Sequence, residues 1–363
     1  MPMQAHAVTI GLMSGTSLDG VDGVLTDFKN IHHAAYIPFP EPLQEVLMRL
    51  QTPSENELHY EALAANQIAH LYAACVHTLL DAAQLDKKQI TAIGAHGQTT
   101  RHRPELGYTR QINNPALLAE LTGIDVVADF RSRDIAAGGQ GAPLVPAFHQ
   151  AVFSSKDKTR VIANIGGISN ITILRADGTV LGFDTGPGNM LMDAWMKEHQ
   201  GLAFDAEGKW AASGSIDATL LARFMDEDFL KLAPPKSTGR DLFNRVWLTS
   251  KLTQHDFKAV DVHATLTAFT AQSLCDAIKG YAPDAAEIVV CGGGARNTHL
   301  MGLIHQLSGL AVTDTGSLGM PVSEVEATAF AWLTRQFCLK LPGNLPAVTG
   351  AQGLRILGAL YPA

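Results

Sequence analysis

The chain is poor in charge, in cysteine and in long apolar runs, and each shortage excludes a class of protein. Only 17% of the 363 residues are charged, and the formal net charge is −8. General nucleic-acid binding requires a basic surface, so no nucleic-acid partner is expected. The four cysteines form no CxxC pair, which excludes a disulfide scaffold and the common zinc motifs. No apolar run approaches the roughly 20 residues of a membrane helix.

Residues 1–7 have neither the basic start nor the long apolar stretch of a secretory signal. With the scattered cysteines, this predicts a reduced, cytoplasmic protein that has no membrane partner. The length and the 46% hydrophobic content predict an enzyme-sized protein of two domains. Because the chain is acidic, an anionic ligand must be held locally by backbone amides, a few arginines or a metal ion.

Apolar runs and turn residues predict alternating strands and helices, which is typical of an α/β fold with helices covering mixed sheets. The predicted strands are Val8–Leu12, Val21–Phe28, Ile31–Phe39, Ile90–Ala95, Ile124–Ala128, Val161–Ile165, Ile168–Leu174, Val180–Phe183 and Glu287–Cys291. The predicted helices are Glu55–Leu85, Pro115–Leu121, Met190–His199, Val262–Ile278 and Glu324–Leu339.

The same order of elements occurs twice: a hairpin, a third strand, helices and a further strand. The two series start about 150 residues apart, which is an ordinary domain length, and we interpret them as a structural duplication. The domain boundary is expected in the Gly- and Pro-bearing stretch Ala136–Pro146 or just before it. The predicted domains are residues 1–130 with 344–363 and residues 131–343.

The first motif that could carry chemistry is the glycine-rich stretch Gly15–Asp22, between two predicted strands. Its small residues allow backbone N–H groups to approach a polyphosphate. Asp19 and Asp22 suit phosphate only if Mg²⁺ lies between them, directly or through water. The alternative is a tight hairpin whose residues only satisfy turn geometry. The stretch is not a Walker A loop, because GxxxxGK[ST] is absent from the chain.

The second motif, Gly182–Asn189, follows an apolar strand and precedes a helix. Asp184 at a strand end can direct a carboxylate into a cleft as a general base. The adjacent helix start favours an anion such as phosphate. The alternative is that Asp184 or Asn189 only caps the helix.

The third motif, Val289–Asn297, contains three consecutive glycines between a strand and a helix. They permit close approach of a flat or charged ligand, or they form a plain tight connection. No GxGxxG fingerprint is present, which disfavours a dinucleotide. Three glycine-rich loops at strand ends strengthen the ligand-binding interpretation, because α/β proteins bind ligands there.

Two polar stretches, Ala95–Thr99 and Asp129–Ile135, also follow predicted strands. Their His, Gln, Thr and Arg side chains could bind a polyhydroxylated or carboxylate-bearing ligand. The alternatives are a surface loop for the first stretch and a solvated charge run for the second.

Together these motifs resemble the anhydro-N-acetylmuramic acid kinase family. The matching segments occur in the family's order and span nearly the whole chain: Gly11–Asp22, Ala95–Thr99, Phe130–Asp134, Gly138–Pro146, Asn164–Asn170, Asp184–Asn189 and Gly292–Asn297. One such glycine motif would be weak, but the ordered set is highly specific.

The resemblance implies a two-domain, actin-like ATPase fold of duplicated ribonuclease H-like type, with ATP and Mg²⁺ in an interdomain cleft. It also implies a small amino-sugar substrate, a cytoplasmic location and a homodimer. Asp184 matches the family's catalytic aspartate. The implied nucleotide-binding residues are Gly15, Thr16, Ser17, Leu18, Asp19, Gly20, Val21, Asp22, Gly186, Gly188, Asn189, Gly292, Gly293, Gly294 and Asn297. The implied sugar-side residues are His96, Gly97, Gln98, Thr99, Arg131 and Glu326.

The implied reaction is ATP-dependent conversion of 1,6-anhydro-N-acetylmuramic acid to N-acetylmuramic acid 6-phosphate, in peptidoglycan recycling. Asp184 would activate a water that attacks the anomeric carbon, and the released O6 would take the γ-phosphoryl group. An ordinary sugar kinase, in which Asp184 deprotonates a hydroxyl, is the alternative within enzymes. A non-catalytic ATP-binding switch is the alternative outside them.

Overall fold

The computed structural model describes residues 8–15, 17–253 and 257–363. The chain folds into two compact units. The first unit contains the chain up to Phe148 together with Glu324–Ala363, and the second contains His149–Ser323. Residues 131–148 and 324–343 thus belong to the first unit, whereas the boundaries drawn from the sequence assigned them to the second. Thr16 and the segment 1–7 lie outside the described residues.

The elements are numbered in chain order. The strands are β1 (Val8–Met13), β2 (Gly20–Thr26), β3 (Ile31–Pro38), β4 (Ile90–Ala95), β5 (Gln98–Arg103), β6 (Tyr108–Ile112), β7 (Val126–Ala128), β8 (Thr159–Ile165), β9 (Ile168–Leu174), β10 (Val180–Pro187), β11 (Ala285–Cys291), β12 (Ala311–Asp314) and β13 (Ala359–Tyr361).

The α-helices are α1 (Glu41–Arg49), α2 (Glu57–Ala83), α3 (Pro115–Thr122), α4 (Ser132–Ala136), α5 (Val145–Phe153), α6 (Met190–Gln200), α7 (Lys209–Ser213), α8 (Ala218–Met225), α9 (Asp228–Lys231), α10 (Arg245–Lys251), α11 (Ala259–Tyr281), α12 (Thr298–Ser308), α13 (Val325–Cys338) and α14 (Pro346–Thr349). Short 3₁₀ turns cover Lys87–Gln89, Pro104–Leu106, Ala206–Gly208, Gly293–Arg296 and Thr315–Leu318.

Both units contain a sheet of the same topology. In the first unit the order is β3-β2-β1-β4-β7, with β13 added at the β7 edge, and in the second it is β10-β9-β8-β11-β12. The first three strands of each series pair antiparallel, and the first, fourth and fifth pair parallel. This is the ribonuclease H-like arrangement occurring twice. The predicted α/β class and the predicted duplication are confirmed.

Helix α13 belongs to the first unit because it packs closely on that unit's sheet. A Cβ atom added to Gly11 in β1 would lie 1.9 Å from the carbonyl oxygen of Ala327, and one added to Gly94 in β4 would lie 2.1 Å from Oγ1 of Thr334. Glycines in the two strands thus allow direct contact with the helix backbone. The chain therefore re-enters the first unit at α13, after it has formed the second unit.

Each unit has its own hydrophobic core. In the first unit, α2 covers the sheet face opposite α13, with Cys75 packed against Gly23 of β2. In the second unit, α11 supplies the centre of the core, where Phe269 stacks on Trp247 of α10 at 5.8 Å between ring centroids. Among the helices within the described ranges, none is long and apolar enough to cross a membrane.

We predict that Gly94→Ala destabilises the first unit, because the new methyl group would overlap Thr334 and the carbonyl oxygen of Phe330 at 2.5 Å. Overpacking of this kind typically costs about 1–3 kcal/mol, so the thermal unfolding midpoint should fall by several degrees. Gly280→Ala in α11 is the matched control, since its Cβ would meet no atom of the described residues within 4 Å. Equal midpoints for the two variants would contradict the packing argument.

Candidate active site

The sheet topology gathers the polar motifs of the first unit at one edge. Strands β1, β4 and β7 are parallel neighbours, so their carboxyl ends lie together. The residues that follow them are Ser14–Asp19, His96–Gly97 and Asp129–Arg131. Carboxyl ends of parallel strands are the usual ligand-binding edge of an α/β sheet.

The first glycine-rich loop is a turn between the antiparallel strands β1 and β2, as predicted. Leu18 is buried with a left-handed φ of 61°, and its N–H donates to the carbonyl oxygen of Gly15 at 3.3 Å. Ser17 and Asp19 are exposed and joined by a 2.7 Å hydrogen bond. The buried leucine therefore anchors a loop whose polar side chains remain accessible.

Buried polar groups hold this loop in place through hydrogen bonds. The Ser14 hydroxyl donates to the carbonyl oxygen of Gly97 (3.1 Å) and lies 3.0 Å from the Tyr72 hydroxyl, which also accepts the Gly97 N–H at 3.1 Å. The Gln98 amide donates to the carbonyl oxygen of Gly15 at 3.0 Å. Gly97 and Gln98, predicted on the sugar side, thus fix the position of the first loop.

His96 and Arg131, also predicted on the sugar side, form a pair. His96 Nε2 accepts from Arg131 Nε at 3.1 Å and lies 2.9 Å from Nη2, while Nη1 donates to the carbonyl oxygen of Gly141 at 2.8 Å. Burial, with the guanidinium charge acting in the same direction, holds the pKa of His96 well below its usual range. The imidazole is therefore neutral and orients the guanidinium.

The stretch Asp129–Ile135 is solvated only in part, because Asp129 and Arg133 are exposed whereas Asp134 is buried. Asp134 is fully buried and accepts hydrogen bonds from the Gly141 N–H, the Asn344 amide and the Thr349 hydroxyl, each at 2.8 Å. The carboxylate thereby joins the glycine-bearing stretch after α4 to the C-terminal part of the chain.

Two further predicted residues of the first unit, Thr99 and Glu326, lie in other elements. Thr99 in β5 accepts a hydrogen bond from Gln111 at 3.0 Å. Glu326 is half-buried in the first turn of α13, one residue before Ala327, whose carbonyl contacts Gly11. Thr16 lies outside the described residues.

Asp19 and Asp22 offer two carboxylates at the start of β2. Asp19 is exposed, and Asp22 is half-buried opposite Met13 at the end of β1. Among the described residues, no group of three or more His, Cys, Asp and Glu could hold a metal ion. Mg²⁺ commonly takes one or two carboxylates and fills its remaining positions with water and phosphate oxygens, so these carboxylates have the donor chemistry that it prefers.

In the second unit, the glycine motifs meet at the equivalent edge. The turn Gly166–Gly167 between β8 and β9 accepts hydrogen bonds from the N–H groups of Gly188 (2.9 Å) and Asn189 (2.8 Å). The third motif packs beside them, since a Cβ on Gly292 would lie 2.5 Å from Asn164 Oδ1. Strands β8, β10 and β11 run in the same direction, so their carboxyl ends coincide.

Gly15 and Gly293 in these loops are not required by packing, and neither is Gly166, where a Cβ would lie 3.8 Å from the carbonyl oxygen of Ile168. A Cβ on Gly15 would find no described atom nearer than Ser17 Oγ at 3.7 Å, and one on Gly293 none nearer than Asn189 Nδ2 at 3.4 Å. Neither Gly15 nor Gly293 has a left-handed φ. Open space above an unsubstituted backbone is what close approach of a ligand requires.

Asp184 lies inside β10, which continues to Pro187, whereas the sequence pattern predicted a strand that ends at Phe183. It is 9% exposed, and its Oδ2 accepts the Thr238 N–H at 2.9 Å. The helix-capping alternative is not observed: α6 has no side-chain cap hydrogen bond, and the Asn189 amide donates to the carbonyl oxygen of Ile165 at 3.2 Å. Asp184 is a strand-borne carboxylate whose orientation is fixed.

The structure adds two features that the sequence motifs did not assign. The turn Gly166–Gly167 occupies in the second sheet the place that Ser14–Asp19 occupies in the first. The duplicated pattern itself could have identified this equivalence. The second feature is the contact between Thr238 and Asp184. It joins positions far apart in the chain, and no sequence pattern predicts it.

The whole chain matches known proteins. A family model described as "Anhydro-N-acetylmuramic acid kinase" matches residues 7–363. Proteins of that name from Cupriavidus metallidurans and Cupriavidus pinatubonensis are 54% and 55% identical, covering 99% and 97% of this chain and 98% of each relative. The protein of that name from Paraburkholderia xenovorans is 54% identical over 99% of this chain and 98% of its own length.

Solved structures are more distant. A ROK family glucokinase from Streptomyces griseus, in complex with glucose and AMPPNP, has a TM-score of 0.44 and 14% identity, with 91% of this chain and 100% of that chain covered. The activator of the 2-hydroxyisocaproyl-CoA dehydratase from Clostridium difficile has a TM-score of 0.46 and 13% identity, covering 89% and 92%. The fold assignment rests on the strand order and not on these likenesses.

Proposed function

Because the chain belongs to the anhydro-N-acetylmuramic acid kinase family, we propose that it opens 1,6-anhydro-N-acetylmuramic acid and transfers the γ-phosphoryl group of ATP to O6. The products are N-acetylmuramic acid 6-phosphate and ADP, and the reaction serves peptidoglycan recycling and amino-sugar catabolism. The observation that carries the proposal is Asp184, a nearly buried carboxylate of fixed orientation beside the glycine loops of its unit.

The backbone loops are proposed to bind ATP. In the first unit these are Gly15–Asp22, and in the second Gly186–Asn189, Gly292–Asn297 and the added turn Gly166–Gly167. The N–H groups of Gly188 and Asn189 donate within the fold, so the segment Gly186–Asn189 would contribute by close approach of its backbone. N–H groups elsewhere in these loops would offset phosphate charge locally, which a chain of net charge −8 cannot do through its overall field. Mg²⁺ would be held by Asp19 and Asp22, and it would supply positive charge to the phosphates.

Asp184 is proposed to act as general base toward water. The anhydro sugar has no free 6-hydroxyl, so there is no proton to remove at O6. Asp184 accepts a proton from the water that attacks C1, the C1–O6 bond breaks, and O6 forms the new bond to the γ-phosphorus as ADP leaves. Arg131, oriented by His96 and Gly141, is proposed to bind a polar or anionic group of the sugar.

The cytoplasmic location and the homodimer implied by the family resemblance stay predictions. So do the placement of ATP in an interdomain cleft and the sugar-side roles of Gly97, Gln98, Thr99 and Glu326.

We predict that Gly15→Val and Gly293→Val each weaken ATP binding by about tenfold or more, because the side chain would fill the space that phosphate or nucleoside needs. An added Cβ at either site would lie no closer than 3.4 Å to a described atom, so folding should persist. Gly302→Val on α12, where an added Cβ meets nothing described within 4 Å, is the control. Calorimetric titration with ATP measures the effect, and unchanged affinity in the loop variants would remove these glycines from the nucleotide site.

Asp184→Asn should lower kcat by about 10²–10⁴, the usual contribution of a general base. The asparagine Oδ1 can still accept the Thr238 N–H, so the fold and the ATP affinity should change little. Steady-state kinetics and ATP titration on the same preparation give both quantities. Near-normal turnover would exclude Asp184 as the base.

The reaction itself is tested in ¹⁸O-labelled water. Mass spectrometry of the sugar phosphate should find one label at the anomeric oxygen and none in the phosphate. Unlabelled product incubated with enzyme in the same water corrects for exchange at the anomeric centre. A phosphorylated sugar without label above that control would instead support an ordinary kinase that phosphorylates an existing hydroxyl.

A further inference from the structure

The Arg131 guanidinium is held on two sides by acceptors of the first unit. Nε and Nη2 lie 3.1 Å and 2.9 Å from His96 Nε2, and Nη1 donates to the carbonyl oxygen of Gly141 at 2.8 Å. Because the guanidinium is planar, these two acceptors together set the plane in which its N–H groups lie. The orientation of Arg131 therefore depends on where the Gly141 backbone is held.

Gly141 is itself held through its N–H group, which donates to Asp134 Oδ2 at 2.8 Å. Gly141 has a left-handed φ of 67°, and an added Cβ would lie 2.8 Å from Cγ1 of Ile135. Its backbone angles and its close packing thus both favour glycine. One residue joins Asp134, on the side of its N–H group, to Arg131, on the side of its carbonyl group.

The fully buried Asp134 uses both of its side-chain oxygens as acceptors. Oδ2 binds the Gly141 N–H, and Oδ1 accepts from the Asn344 amide and the Thr349 hydroxyl, both at 2.8 Å. An asparagine side chain has a single acceptor oxygen, so its NH₂ group would face a donor on one side of this position. A carboxylate is therefore the group that satisfies all three donors.

The segment 344–352 also binds the loop 137–141 through the backbone. The N–H of Gln140 donates to the carbonyl oxygen of Thr349, and the N–H of Gln352 donates to that of Ala137, both at 2.7 Å. Together with the two side chains that bind Asp134, these bonds fix the loop that carries Gly141. The two side chains follow Asp134 by 210 and 215 positions in the chain.

We propose that Asp134, together with the segment 344–352, is a positioning residue that orients Arg131 for the sugar substrate. It acts through Gly141 and does not itself contact the sugar. The proposal rests on the sugar-binding role of Arg131 proposed above. Without Asp134, the Gly141 carbonyl group is no longer held in place, so ordering Arg131 consumes part of the free energy of sugar binding. ATP binding should change little, because the hydrogen bonds of Asp134 lead to Arg131.

The first test is a double-mutant cycle between Asp134→Asn and Arg131→Met, measured as the KM for the anhydro sugar. Asp134→Asn alone should raise that KM by about tenfold, with much smaller changes in kcat and in the KM for ATP. In the Arg131→Met background the same substitution should add little, because the residue through which it acts is gone. Its effect on the thermal unfolding midpoint should persist in both backgrounds.

The second test uses Thr349→Val and Thr349→Ser as a matched pair. Valine keeps the shape of threonine but removes the hydroxyl that donates to Asp134 Oδ1, so the KM for the sugar should rise by about threefold. Serine keeps the donor and should restore the KM of the unaltered enzyme. Thr122→Val is the control, because that buried hydroxyl donates to the carbonyl oxygen of Leu118 at 2.8 Å within α3, and its loss should leave the KM unchanged.

Thermal unfolding and ATP titration show which variants are folded, and either Asp134→Asn or Thr349→Val, once folded, decides the question. An unchanged KM for the sugar in that variant, or a rise of the same size with and without Arg131, would overturn the proposal. Arg131→Met separates the two hypotheses. A normal KM for the sugar in Arg131→Met refutes sugar binding by Arg131, whereas a raised KM there with a normal KM in Asp134→Asn refutes only the positioning role of Asp134.

Discussion

The parallel pairing of β1 with β4 and of β8 with β11 is the constraint on which the candidate site depends. Parallel strands end at the same edge of a sheet, so residues that are far apart in the chain become neighbours there. The hairpin that precedes each parallel pair adds a turn at that edge, Ser14–Asp19 in one unit and Gly166–Gly167 in the other. The duplication therefore repeats the strand order and also the position of a turn at the carboxyl-terminal edge of each sheet.

In this acidic chain, Arg131 is oriented by neutral acceptors, because it donates to a neutral imidazole and a carbonyl oxygen. Such acceptors restrict the side chain without cancelling its charge. The overall charge of the protein and the field at a ligand are thus separate properties.

The sequence predicted strands rich in β-branched residues, including the half-exposed β3, and it missed the polar hairpin β5–β6. Ile90–Ala95 and Ile168–Leu174 were predicted to the residue, because runs rich in isoleucine and threonine between turn residues have few alternatives. The hairpin β5–β6 was missed because its Arg, His, Gln and Thr side chains resemble a loop. Its strands are stabilised by their mutual pairing and by ion pairs of Arg101 and Arg110 with α2, which are tertiary contacts that no local pattern contains.

In the candidate site, a glycine of a motif can be required by packing or can be left unexplained by it, and only the surrounding structure distinguishes the two cases. Gly11, Gly94 and Gly188 have backbone or side-chain atoms within 2.5 Å of where a Cβ would stand, so glycine is needed there for folding. Gly15 and Gly293 have space and ordinary backbone angles, so the protein alone does not explain the choice of glycine. Both kinds of glycine look the same in a sequence motif. Gly280 and Gly302 have the same space in helices α11 and α12, so open space alone does not identify a ligand site. Gly15 and Gly293 differ from them in their place, because both lie in loops at the carboxyl-terminal edges of the two equivalent sheets.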